Sequence, residues 1–269
     1  MFRILAASLV LATAPLSVSA PATAQTAQLR AANFQTRQEV RDAQTYDRAI
    51  KDFQSRGYAG LTRHLPALRA AFDRMPDDYA QVVVQHETSV ARLSDGGDVL
   101  LMMVMLSAPD DTGKSRAAIT LANVYGDIAL LLASEAVEGR RYDEALAYLD
   151  RALKIQPANW LLLSEKIVAL QGAQRWDEAL ALADEALDSD DILLTLHDDA
   201  FHRRRGFSLI ELGRLDEAKA AYEAALAIDE DDANAKRELD YINKLQAGAP
   251  PTAINFVAPA STTPPQPLN

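Results

Sequence analysis

The sequence predicts an all-α chain of stacked antiparallel helix pairs. Three observations carry this. First, Tyr142-Asp143-Glu144-Ala145, Trp176-Asp177-Glu178-Ala179 and Leu215-Asp216-Glu217-Ala218 align on one acidic-alanine core, the first two 34 residues apart. Second, Leu149, Ala183 and Tyr222 follow the aligned alanines by four residues, and Ala152, Ala186 and Ala225 follow them by seven. That spacing puts them on one helix face. Third, glycine (11 of 269 residues) and aromatics (6%) are scarce, which argues against a strand-rich sandwich or barrel. The alanines have a physical purpose, because two helices approach closely only where no large side chain separates their backbones. The acidic pairs fall in a first helical turn, where negative charge complements the helix dipole.

A period near 34 with these alanine offsets resembles the tetratricopeptide repeat (TPR). The resemblance implies units of two antiparallel helices stacked into a TPR-like superhelix. Unit one is expected at about 126–159, unit two at 160–193 and unit three at 199–232. Pro157 sits where the family usually closes a second helix, and Gly206 and Gly213 match its small residue and inter-helix turn. Asp191 and Glu230 replace that proline elsewhere, and residues near Ile192–Asp198 lengthen the link between units two and three. After unit three, Leu239, Ile242 and Leu245 line one face of an amphipathic helix, Ala233–Leu245. It is expected to cap the array, whose last apolar face needs cover. The array with its capping helix thus spans 126–245.

Outside the array the chain divides by composition. Residues 1–24 read as a signal peptide: a basic start at Arg3, an apolar run from Ile4 to Leu16, then small residues through Ala24. The run is shorter than the roughly 20 apolar residues a membrane span needs, so cleavage before Gln25 is expected, with a periplasmic mature chain that spans no membrane. Residues 25–40 read as a flexible leader, and 246–269, uncharged and proline-rich, as a disordered tail. Residues 41–125 read as degenerate helical repeats. Tyr46–Ser55 and Leu65–Arg74 make one expected pair, Tyr79–Leu93 and Asp98–Leu106 a second, and Lys114–Glu138 one long bridging helix.

The net charge of −11 disfavours nucleic acid and anionic membranes as partners, and the absence of cysteine excludes disulfides, thiolate metal sites and a cysteine nucleophile. Ala108-Pro109-Asp110-Asp111-Thr112-Gly113-Lys114-Ser115 fits a relaxed phosphate-loop pattern. Two aspartates would repel phosphate there and Pro109 removes a backbone donor, so the segment reads as a helix start and no nucleotide is expected. His197, Asp198, Asp199 and His202 could ligate a metal, but His202 falls at a core-facing position, so no metal or other cofactor is expected. No serine elbow or paired-histidine zinc helix is present, so the chain reads as non-enzymatic.

In the TPR family the first helix of each unit lines a concave groove. Carried over, the resemblance places Leu130, Ser134, Ser164, Val168, Arg203, Phe207, Arg237 and Tyr241 on that wall. Arginine followed one turn later by an aromatic recurs at a 34-residue offset, a pattern suited to a peptide carboxylate and its apolar neighbour. The family's lysine–asparagine carboxylate clamp is missing, so binding of chaperone tails is not implied. The reading is an exported scaffold or adaptor for a protein or peptide partner. A self-associating structural repeat protein, or a repeat scaffold for an enzyme, are its rivals.

Overall fold

The computed structural model describes residues 3–4, 34–85, 87–94, 99–109, 113–252 and 254–255. A two-residue strand, β1 (Arg3–Ile4), pairs in parallel with a second at Ile254–Asn255. The remainder of the expected signal peptide, leader residues 25–33 and most of the tail lie outside the described residues.

Helix α1 (Arg37–Arg56) starts where the Thr36 hydroxyl accepts the Glu39 N–H, and ends at Gly57, whose φ is 61°. A single turn, α2 (Tyr58–Leu61), leads to α3 (Leu65–Asp73). There follows a small sheet that the expected helices do not include. β2 (Val82–Gln85) pairs antiparallel with β3 (Thr88–Leu93), α4 (Val99–Ser107) crosses over, and β4 (Ala117–Ala122) pairs in parallel with β3. The expected helix Tyr79–Leu93 is therefore a hairpin, because Val82-Val83-Val84 and the alternating Thr88–Leu93 favour a pleated surface. The expected bridging helix Lys114–Glu138 is β4 followed by α5 (Val124–Glu138), separated at Asn123, whose side chain caps α5. Parallel strands need a long crossover, and α4 supplies it. Met102 of that helix is buried, whereas Met103, Val104 and Met105 are exposed.

From α5 onward the helices alternate as the repeat pattern requires. They are α6 (Tyr142–Leu153), α7 (Trp160–Gly172), α8 (Trp176–Leu187), α9 (Ile192–Thr195), α10 (Asp198–Glu211), α11 (Leu215–Ile228) and α12 (Ala233–Gln246), with β5 (Ile254–Asn255) last. The short α9 takes up the inserted link, capped by Asp191, and Trp160 stacks on His197 just beyond it at 3.9 Å. Each aligned alanine is in the seam, with Ala145, Ala152, Ala179, Ala183, Ala186, Ala218 and Ala225 at most 3% exposed. Helix α5 is buried almost all round. It packs against α1 and α3 on one side and against α6 and α7 on the other. Arg69 of α3 reaches Glu144 and Tyr148 of α6, and Phe72 meets Tyr148 edge to face. Helix α12 covers the last unit through Ala235 and Ile242, both fully buried.

The turn inside each unit repeats one backbone conformation. Arg140, Gln174 and Gly213 all have positive φ (57°, 61° and 74°). A side chain there costs about 1 kcal/mol that glycine avoids. Space is open around Gly213, so the backbone alone decides the outcome. Gly213→Ala is expected to lose about 1 kcal/mol and Gln174→Gly to gain about 0.5–1 kcal/mol, both read by urea denaturation.

Candidate peptide-binding face

The first helices of the pairs, α5, α7 and α10, pack in series as one wall, and α12, which packs on α11, is joined to α10 through Arg203 and Asp232. The structure corrects much of the expected lining of that wall. Leu130, Ser164, Val168 and Phe207 are only 5%, 5%, 1% and 4% exposed. Alanine-sized seams draw neighbouring pairs together, so side chains between adjacent first helices are enclosed rather than displayed. Phe207 lies against Trp176, with ring centroids 6.1 Å apart.

The two arginine–aromatic steps also separate. Arg203 Nη1 donates to Asp199 at 2.7 Å and to Asp232 at 2.6 Å. Asp232 is the N-cap of α12, accepting from the Asn234 and Ala235 N–H groups. Its carboxyl is held below the usual range by those backbone donors and by Arg203, against the upward push of burial. Arg203 therefore fastens unit three to the capping helix and is not free for a ligand. Arg237 remains exposed beside Asn234. The Tyr241 hydroxyl accepts the Thr252 N–H at 2.9 Å, so the start of the tail folds back over it.

The wall instead brings together a polar chain in which Ser134 and Ser164 keep their expected positions and Glu165 and Arg204 stand one residue beyond theirs. The Ser134 hydroxyl donates to buried Glu165 at 2.9 Å. Tyr58 of α2 reaches Ser134 from the other side. Arg204 of α10 donates through Nε to the Ser164 hydroxyl at 3.1 Å, and its backbone carbonyl accepts from Gln171. Burial pushes the Glu165 carboxyl up, opposed by Ser134 and Arg204. Burial pushes the Arg204 guanidinium down, opposed by Glu165. The sequence signal for this register was the run Arg203-Arg204-Arg205: three successive arginines on one helix point in different directions, and spacing alone does not choose among them. Arg205, the third, pairs with Asp184 on α8.

The remaining candidates separate as well. Gly113 (φ 78°) and Lys114 precede a strand, not the expected helix, and Lys114 pairs with Glu87. Asp110 and Asp111 lie outside the described residues. Among the described residues no three His, Cys, Asp or Glu side chains are grouped to hold a metal ion. No helix among them is long and apolar enough to cross a membrane.

The geometry defines a helical-repeat protein, and comparison with known proteins specifies the repeat. Tetratricopeptide repeat models match residues 126–159 and 200–232, so the chain carries tetratricopeptide repeats where units one and three stand. The Hsp70-Hsp90 organizing protein of Triticum aestivum is 32% identical over 127 residues, covering 46% of this chain. The match spans only 20% of that relative's length. Among solved structures, the Sgt2 TPR domain from Aspergillus fumigatus is similar with a TM-score of 0.39 and 23% identity, covering 51% of this chain and 91% of that one. The first TPR of Spaghetti (RPAP3) bound to HSP90 peptide SRMEEVD gives 0.39 and 24%, covering 45% and 94%.

Proposed function

We propose that the chain is a non-enzymatic adaptor that takes a peptide or helix from a protein partner on the wall formed by α5, α7 and α10. The carrying observation is the Arg204 guanidinium, which donates through Nε to Ser164 and faces the buried Glu165 of the neighbouring first helix. A partner carboxylate flanked by apolar residues would complete that arrangement. The tetratricopeptide repeats support the reading, since the matched wheat relative is by name an organizing protein. The basic start, apolar run and Ala22-Thr23-Ala24 support export to the periplasm, with a mature chain beginning at Gln25. The partner would then be an envelope protein.

Crosslinking in intact cells followed by identification of captured proteins tests the adaptor role. Arg204→Glu is expected to reduce capture about tenfold or more, whereas Arg237→Glu leaves it within a few-fold. Capture unchanged by Arg204→Glu removes this wall as the binding face. Amino-terminal sequencing of the mature protein tests export, with Gln25 as the expected first residue.

A further inference from the structure

A second site lies away from the wall, where the inserted sheet meets α1. A cavity of about 310 Å³ opens between the start of α1, the Pro76–Tyr79 turn, the β2–β3 hairpin and Tyr125. Its apolar sides are Phe34, Val83, Val90 and Tyr125. Its charged groups are Glu39, only 3% exposed, Arg92, whose side chain is 12% exposed, and the exposed Asp78. Glu39 and Arg92 stand 3.9 Å apart, close enough to attract and too far to share a hydrogen bond. Glu39 accepts from the Tyr79 hydroxyl at 2.9 Å. Arg92 donates from Nη1 to the Ala80 carbonyl and lies over the Tyr79 ring at 4.3 Å. Its buried Nε–H has no hydrogen-bond acceptor. One turn along α1, Asp42 is fully engaged by Arg74, Gln38 and Tyr125.

Arg92 is the one cation among the residues lining the cavity, and a ligand carboxylate would pair with its guanidinium. A bare carboxylate would meet Glu39 at the same time. The ligand must therefore also bring a cation to Glu39. Two opposite charges a few ångströms apart, with an apolar group for the side walls, describe one chemical class. The volume lies near the lower bound for ligand pockets, about 300 Å³. That suits a molecule of this size and not a nucleotide.

We propose that this cavity binds a free α-amino acid with an apolar side chain, its carboxylate on Arg92 and its ammonium on Glu39. Because both charges hang from one carbon, a free amino acid fits the Glu39–Arg92 spacing better than a dipeptide, whose termini stand farther apart. Isothermal titration of the purified full chain with L-leucine and L-phenylalanine tests the site, using the N-acetyl and carboxamide derivatives and Leu-Leu as controls. The expected result is binding of the free amino acids and at least about tenfold weaker binding of every control. Arg92→Gln should erase the preference over the carboxamide, and Glu39→Gln the preference over the N-acetyl form. Val83→Trp, on the outer strand, should fill the cavity and abolish binding while circular dichroism stays unchanged. Absence of heat with both amino acids at millimolar concentration overturns the proposal. So does binding that survives Val83→Trp, or that both charge variants leave unaltered.

Discussion

Asp127→Asn is expected to stabilise the protein at neutral pH by roughly 2–4 kcal/mol, one of the largest single gains this chain offers. Asp127 lies in the first turn of α5, only 7% exposed, and its Oδ1 is buried without a hydrogen-bond partner. Burial pushes its carboxyl up to about 7, with the Ser94 hydroxyl pulling the other way. The surrounding groups give the charge little help. Tyr46 of α1 stands near, with its own hydroxyl buried and unpartnered, and Asn123 is committed to Ser94, Gln156 and the Gly126 N–H. The sign follows from comparing the two states. The unfolded chain releases this proton at about pH 4 and the native chain at about 7. Between those values the unfolded state is the one relieved by rising pH, so native stability falls across the window and levels off above it. Asparagine keeps the shape and carries no charge to desolvate. Urea denaturation of both proteins from about pH 4 to pH 8 should show curves that meet at the acid end and diverge towards neutrality. Parallel curves would contradict the assignment. Carboxylates held low elsewhere, such as Asp232, act equally on both proteins and cancel.

The second large effect lies in the seam of unit three. Gly206→Val is expected to lose about 2–3 kcal/mol. A Cβ at Gly206 would stand 2.6 Å from Cε2 of Tyr222 and 2.8 Å from Cδ2. Tyr222 is 2% exposed and sits on α11, so the ring has no free space to enter. The variant must either push α11 away from α10 or twist the ring off its rotamer. Tyr222→Ala provides the control. It costs stability by itself, but in its presence the added cost of Gly206→Val should fall below about 1 kcal/mol. Equal costs in both backgrounds would show that the seam is not set by this contact.

The repeat half of the fold was legible because its signal is redundant. Three acidic pairs, the alanines at fixed offsets and Gly206 all report the same close approach of helices, and all are buried or placed as that approach demands. The sheet was not legible because its pairing is non-local. Val82-Val83-Val84 carries β preference, but β4 is Ala-Ala-Ile-Thr-Leu-Ala, which reads equally well as helix until β3 is beside it. The wall was half legible. Its helices were found, yet which arginine is tied up within the fold depends on Asp199 and Asp232, which claim Arg203 from two elements. Leu130 and Val168 fit the pattern of a lining residue and of a core residue alike, and packing chose the core.

Interposing β2, β3, α4 and β4 between α3 and α5 has a consequence for biogenesis. Each repeat pair closes on itself within a few dozen residues, so its contacts form early and at small entropic cost. Helices α1 and α3 instead bury Ile50, Leu68 and Phe72 in a core shared with α5, whose first residue is Val124. A nascent chain stalled before that point has no surface on which to lay them. The amino-terminal helices must wait, with their apolar side uncovered, until more than forty further residues have been synthesised, an exposure that the repeat pairs do not share.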